Sequence, residues 1–122
     1  MSHMVVVIED DTLFARGVRR ALEGAGYAVQ VAEHAPQAIE YIDEFMPQVI
    51  VADMLLAGST AVLLFHELQS HHDLASIPII VVTSIAENID LDVLKPYGVH
   101  RIIDKLTMRP EDIVTAVRSV AP

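Results

Sequence analysis

Short apolar runs alternate with amphipathic stretches along the whole 122-residue chain. The apolar runs predict five strands, at residues 4–8, 27–31, 49–52, 77–82 and 99–103. Between these strands and after the last one, apolar side chains recur with helical spacing and predict five helices. The first shows this best, at Phe14, Val18, Ala21, Leu22 and Ala25. Strands and helices that alternate with short connections predict one α/β domain, with a parallel sheet covered by helices on both faces.

Glycine and proline residues set the limits of the predicted helices. Gly24 and Gly26 end the first helix, Pro36 opens the second and Pro47 stops it. The second helix is predicted to bury Ala38, Ile39, Ile42 and Phe45. The third helix is predicted to begin at a cap, Ser59 or Thr60, and to run to about Ser70. The fourth is predicted over residues 87–94. The fifth is predicted to begin at Pro110 and to bury Ile113, Val114, Val117 and Val120.

The composition narrows the class of partner and the compartment. Seventeen acids against eight lysines and arginines give a formal net charge of -9, which argues against nucleic acid or an anionic membrane as a direct partner. The chain has no cysteine, so it has neither disulfides nor thiolate chemistry. The apolar run near its start is too short for a signal peptide or a membrane span. We therefore expect a soluble, cytoplasmic domain.

Polar side chains lie within two residues of the ends of four predicted strands. Glu9 and Asp10 follow the first strand, Asp53 the third, Thr83 the fourth and Lys105 the fifth. Asp53 by itself fits an ordinary turn acid. The four strand ends together favour a ligand site, because parallel strands bring their carboxyl ends to one edge of an open α/β sheet. Neighbouring carboxylates need a cation, and oxygen ligands without thiolate favour Mg²⁺.

With these residues in place, the chain resembles the receiver domain of bacterial two-component response regulators. The resemblance runs from VVVIEDD through VIVADMLLAG and IPIIVVTS to IIDK and covers essentially the whole chain. It implies a flavodoxin-like fold, with five parallel strands in the order 2-1-3-4-5 and five helices. It also implies a single receiver domain over residues 4–120, with residues 1–3 as an expression remnant.

The same resemblance implies a role for each strand-end residue. Asp53 matches the aspartate that accepts a phosphoryl group from a sensor histidine kinase or a histidine phosphotransfer protein. Glu9, Asp10, Asp53 and the carbonyl of Leu55 match the Mg²⁺ ligands, and Thr83 and Lys105 match groups that contact the phosphoryl oxygens. The implied protein is a signalling phosphoacceptor that assists its own phosphorylation and dephosphorylation, not an enzyme, and its modification switches the binding of a downstream partner.

Several positions depart from the family pattern. Leu106 follows Lys105 where the family usually has proline with a cis bond, so we expect either a trans bond with a rearranged loop or a strained bond. Ile102 replaces an aromatic residue that often changes position on signalling, and it is expected in the core. Ala57 replaces a usual proline, and Ser84 a smaller residue. We expect these changes to affect the switch more than the phosphoacceptor chemistry.

Two apolar neighbours of the predicted site suggest a hypothesis about its lifetime. Leu55 lies two residues after Asp53, and Ile85 lies two residues after Thr83. Neither side chain can hydrogen-bond an attacking water, so spontaneous loss of phosphate is expected to be slow. The alternative is that both side chains simply pack beside the site.

Other polar clusters carry less information. The histidines lack the spacing of a metal site, and His71, His72 and Asp73 fit a solvated turn. Arg16, Arg19 and Arg20 form a basic patch on the first helix, which is either a docking surface for the phosphodonor or an ordinary solvated face.

Two other functions stay open from the sequence. One is a degenerate receiver that acts as a phosphorylation-independent interaction module. The other is a small Mg²⁺-dependent phosphatase, which lacks its general-acid aspartate because Leu55 occupies that position. The charges of Arg101, Asp104, Asp112 and Arg118 could support a homodimer, and the cognate kinase and the output are not identified by the sequence.

Overall fold

The computed structural model describes residues 3–56 and 59–121, so the predictions about residues 1–2 and Ala57 lie outside the described residues. The main strands are β1 (Met4–Ile8), β2 (Ala28–Ala32), β3 (Val49–Ala52), β4 (Ile79–Thr83) and β5 (Val99–Asp104). The helices are α1 (Thr12–Gly24), α2 (Ala35–Phe45), α3 (Ala61–Gln69), α4 (Leu91–Leu94) and α5 (Pro110–Val120). A short antiparallel pair, Leu55–Leu56 with Ser59–Thr60, precedes α3.

The main sheet has the strand order β2-β1-β3-β4-β5, and every neighbouring pair is parallel. This order confirms the predicted doubly wound, flavodoxin-like fold. The residues of β3 and β4 are all buried, as the uninterrupted apolar sequence of these strands predicts for a sheet covered on both faces. The sheet therefore directs the carboxyl ends of β1, β3, β4 and β5 to one edge.

Alternate residues of the central strands supply two separate cores. Val6 and Ile8 of β1 face the side covered by α2 and α3, where Phe65 is fully buried. Val5 and Val7 face the side covered by α1 and α5. This two-sided burial fixes the register of β1, because a slip by one residue would exchange the two faces.

A register shift at the start of the β4 and β5 pair sets the position of the last strand end. Ile79 pairs with Val99, whereas Ile80 pairs with Arg101, and the pairing then continues to Thr83 with Asp104. Lys105 consequently follows immediately beyond the end of β5, beside Thr83.

Two details of the helix predictions are wrong. Phe45 was expected inward but is exposed, because it lies in the last turn of α2, which ends at Met46 in a left-handed conformation with φ 45°. The helix predicted over 87–94 is a 3₁₀ turn, the four-residue helix α4 and a second 3₁₀ turn. Asp90 caps α4, and Gly98, with φ 92°, ends the second 3₁₀ turn. No helix among the described residues is long and apolar enough to cross a membrane.

Candidate functional site

Two buried carboxylates lie side by side at the carboxyl edge of the sheet. Glu9 follows β1, and its N–H donates to the Ala32 carbonyl at 2.9 Å. Asp53 follows β3, and its N–H donates to the Ile8 carbonyl at 3.1 Å. Both residues thus extend the ladders of the sheet, and they keep only 3% and 6% of their surface exposed. Buried carboxylates of this kind require a cation or hydrogen-bond donors.

Lys105 supplies that cation. Its Nζ donates to Glu9 Oε1 at 2.6 Å and to Asp53 Oδ2 at 3.2 Å. The Lys105 backbone N–H donates to the Thr83 carbonyl at 3.0 Å, which ties the start of the following loop to β4. With 15% of its side chain exposed, Lys105 forms a largely buried ion pair with both acids. We call Glu9, Asp53 and Lys105 the acid–lysine cluster.

The start of α1 supports this cluster from the other side. The Lys105 ammonium lies 4.3 Å from the centre of the Phe14 ring, a cation–π contact. Asp11 caps α1 by accepting the Phe14 N–H at 3.1 Å, and its own N–H donates to Glu9 Oε2 at 3.0 Å. Sequence reasoning missed both roles, although an aspartate immediately before an amphipathic helix is a recognisable cap signal.

Burial and pairing shift two pKa values in the acid–lysine cluster. Burial raises the pKa of Glu9 above its ordinary 4.5, and the hydrogen bonds from Lys105 and from the Asp11 N–H oppose that effect only in part. Burial alone lowers the pKa of Lys105, but the hydrogen bond and charge of Glu9, together with Asp53, outweigh it and raise the pKa above 10.5. Lys105 is therefore an ammonium throughout the neutral range.

The other predicted site residues lie around the cluster. Thr83 is fully buried, and its Oγ1 accepts the Ile85 N–H at 3.4 Å. The Leu55 N–H donates to Asp53 Oδ1 at 3.0 Å, so each Asp53 oxygen has a donor. The Leu55 side chain is exposed at the rim of the site. Asp10 is also exposed and lies outside the acid–lysine cluster.

The donor chemistry suits Mg²⁺, because Glu9, Asp10 and Asp53 offer carboxylate oxygens and Leu55 offers a carbonyl. Within residues 3–56 and 59–121, no group of three acidic or histidine side chains is close enough to hold a metal ion. Two of the three carboxylates converge on Lys105 instead. The donor atoms therefore fit a hard divalent cation, which would compete with the ammonium for the same oxygens.

Comparison with known protein families gives a match over almost the whole chain. The family model described as the response regulator receiver domain matches residues 5–118. The chain belongs to the response regulator receiver family.

Relatives of this receiver domain include longer regulators. The transcriptional regulatory protein BaeR of Escherichia coli is 27% identical over 95% of this chain and 47% of its own length. The virulence transcriptional regulatory protein PhoP of Shigella flexneri is 25% identical over 97% of this chain and 58% of its own length. The receiver domain thus spans about half the length of these curated relatives.

Solved structures show the same fold. The chemotaxis response regulator CheY4 of Vibrio cholerae superposes with a TM-score of 0.86 at 20% identity, covering 98% of this chain and 99% of that one. A sensor protein from Polaromonas sp. gives 0.88 at 21% identity, covering 97% and 94% of the two chains.

The loop after Lys105 shows how this receiver domain accommodates leucine in place of proline. None of its described peptide bonds is cis, so the Lys105–Leu106 bond is trans, the first of the two expected outcomes. Asp104 holds the turn: its Oδ1 accepts the Leu106 N–H at 2.9 Å, and its carbonyl accepts the Met108 N–H at 3.0 Å. Ile102 is partly buried against the core on the α2 and α3 side.

The histidines of the receiver domain lie away from this site. His71 and His72 are exposed in the turn after α3, with Asp73, as predicted. His34 accepts the Gln37 N–H at the start of α2, and His66 bonds the Tyr97 hydroxyl at 2.9 Å. The histidines at 34 and 66 therefore have structural roles that the sequence did not indicate.

Proposed function

We propose that this receiver domain accepts a phosphoryl group on Asp53 from a phosphohistidine donor, in a Mg²⁺-dependent reaction, and so switches the binding of a partner protein. The observation that carries the proposal is the acid–lysine cluster, in which one buried carboxylate at a strand end is held by an ammonium at 3.2 Å and a backbone N–H at 3.0 Å. The donor is a sensor histidine kinase or a histidine phosphotransfer protein, and the reaction belongs in the cytoplasm.

Asp53 is the nucleophile in the proposed reaction. One of its carboxylate oxygens forms a bond to phosphorus as the bond between phosphorus and the donor imidazole breaks, and the imidazole leaves with that electron pair. Such a transfer depends on position and on neutralised charge more than on covalent help from the protein. The Leu55 N–H and the Lys105 ammonium hold the Asp53 carboxylate in one orientation before the donor arrives.

Lys105 and Thr83 are suited to bind the incoming phosphoryl oxygens. The raised pKa of Lys105 keeps its charge at neutral pH, so the ammonium can move from a carboxylate oxygen to a phosphoryl oxygen. The Thr83 oxygen already accepts the Ile85 N–H, which leaves its O–H as a donor. When bound through Glu9, Asp10, Asp53 and the Leu55 carbonyl, Mg²⁺ would neutralise further phosphoryl charge.

The test is intact-mass measurement after incubation with acetyl phosphate and Mg²⁺. We expect the chain to gain one phosphoryl group, and we expect Asp53→Ala to abolish the gain. Asp43→Ala is the matched control, because Asp43 is an exposed acid on α2. A gain that persists in Asp53→Ala would refute Asp53 as the acceptor.

The second candidate is the phosphorylation-independent interaction module. The trans bond before Leu106 and the partly buried Ile102 favour it, since both replace parts of the usual switch. No mass gain with acetyl phosphate or with a panel of histidine kinases, from a folded chain, would support this function instead. A homodimer stays a prediction that sedimentation with and without phosphodonor can test.

A further inference from the structure

An apolar groove lies between α2 and α3, and none of its lining residues belongs to the acid–lysine cluster. Its volume is about 470 Å³, and its lining residues are Ala35, Pro36, Ile39, Leu63, Leu64 and Glu67. Leu64 is buried at its base, whereas Leu63 on its wall is 66% exposed. A single exposed leucine is ordinary on a protein surface. Here Leu63 shares a concave surface with two apolar residues of the neighbouring helix, Pro36 and Ile39.

The charged side chains on the two helices that form this groove have one sign. Residues 21–94 contain eleven aspartates and glutamates but no lysine or arginine, so all eight cationic side chains of the chain lie outside both helices. On α2, Asp43 is exposed four residues after Ile39, and on α3, Glu67 follows Leu63 by four residues. Residues four apart share a helix face, so both walls pass from apolar to acidic within one turn.

We propose that the α2–α3 groove binds an amphipathic helix of a partner protein, with apolar side chains along one face and lysine or arginine residues beside them. The apolar side chains of such a helix would cover Ile39 and Leu63, and its cations would meet Asp43 and Glu67. Nucleic acid and anionic lipid do not fit, because their phosphates would be repelled by the same acids. The partner site is distinct from the phosphoacceptor, so it does not depend on the proposed phosphorylation.

The test uses the full ¹⁵N-labelled chain and a designed helical peptide. The peptide carries leucines at helical i, i+3, i+4 and i+7 spacing and lysines at the other positions. A scrambled peptide of the same composition, with leucines on all sides, is the control for charge alone. We expect saturable amide shifts confined to α2 and α3, at least tenfold weaker binding of the scrambled peptide, and weaker binding at higher salt.

Two groove variants and one matched surface variant complete the test. Leu63→Lys should lower the affinity at least tenfold, and Glu67→Gln should lower it less. Val93→Lys should change the affinity less than twofold. Val93 is 64% exposed, close to the 66% of Leu63, but it lies on α4 and not in the groove. Equal binding of the scrambled peptide, equal effects of Leu63→Lys and Val93→Lys, or shifts centred elsewhere would overturn the proposal. Amide shifts at the groove that change with protein concentration in the absence of peptide would also overturn the proposal, since a second copy of the chain would then occupy the groove.

Discussion

Removal of the Lys105 ammonium should destabilise the domain, because two buried carboxylates would lose their shared cation. Lys105→Met keeps the length and much of the apolar stem of the side chain but deletes the contacts at 2.6 Å to Glu9 and 3.2 Å to Asp53. Breaking a buried ion pair by removing one partner costs about 3–5 kcal/mol. Since 15% of the Lys105 side chain is exposed, we expect the low end, about 3 kcal/mol at pH 7.

The loss should shrink as the pH falls. Glu9 already has a pKa above its ordinary 4.5 because of burial, and Lys105 is one of the groups that hold it down. Without Lys105 the folded-state pKa of Glu9 rises further, so the native state binds its proton at a higher pH than the unfolded chain does. Ionisation of Glu9 then destabilises the variant: the penalty is complete above the folded-state pKa, shrinks as the pH falls below it, and is gone below the unfolded-state pKa. Mg²⁺ should also stabilise the variant more than the parent, since it binds the same oxygens without competition from the ammonium.

Urea unfolding followed by circular dichroism, at pH 7 and pH 5 and with or without Mg²⁺, measures these differences. Lys95→Met is the control, because Lys95 is 60% exposed and contacts Asp92 at 3.4 Å on the surface. An exposed pair of this kind contributes within about 1 kcal/mol. If Lys105→Met costs no more than Lys95→Met, or if its cost is the same at both pH values, the Lys105 ammonium does not stabilise the two buried carboxylates.

Three further changes test other parts of the site. Asp11→Ala should cost about 1 kcal/mol in urea unfolding through loss of the α1 cap, and an unchanged midpoint would contradict that role. In Glu9→Gln, the pKa of Lys105 should fall, because fewer negative charges then offset the effect of burial. NMR titration of the labelled lysine measures this pKa, and an unchanged value would refute the pairing. Replacing Leu55 and Ile85 together by asparagine should speed loss of the phosphoryl group, followed by mass after the donor is removed, whereas an unchanged rate would refute their shielding effect.

The sheet was predictable because its strands are buried on both faces. Val49, Ile50, Val51 and Ala52 contain no polar side chain, and the structure buries all four. The strand order followed from the resemblance, and the structure confirms it. The observed strand boundaries differ from the predicted ones by no more than two residues. The largest difference is at β4, which begins at Ile79, whereas the predicted strand begins at Ile77.

The contacts that hold the site residues in place were less predictable, because they join segments that are distant in the sequence. The sequence places Phe14 on the inner face of α1, but only the fold brings its ring under the Lys105 ammonium. The prediction over residues 87–94 failed for a local reason: Asp90 caps the start of α4, so the residues before it form a separate 3₁₀ turn. Phe45 continues the periodicity of α2, yet the helix ends before the core can cover it.

Under the proposed function, the departures from the family pattern affect transmission of the signal and not acceptance of the phosphoryl group. The acid–lysine cluster forms with a trans bond before Leu106, because the Lys105 N–H is fixed to the Thr83 carbonyl and Asp104 holds the following turn. Proline is therefore not needed to place the ammonium. The consequence of Ile102 lies elsewhere, since a partly buried aliphatic side chain has no ring to turn between two positions. A signal from Asp53 would have to travel through the Thr83 and Lys105 loops, so spectra of the phosphorylated chain should change there before they change at β5.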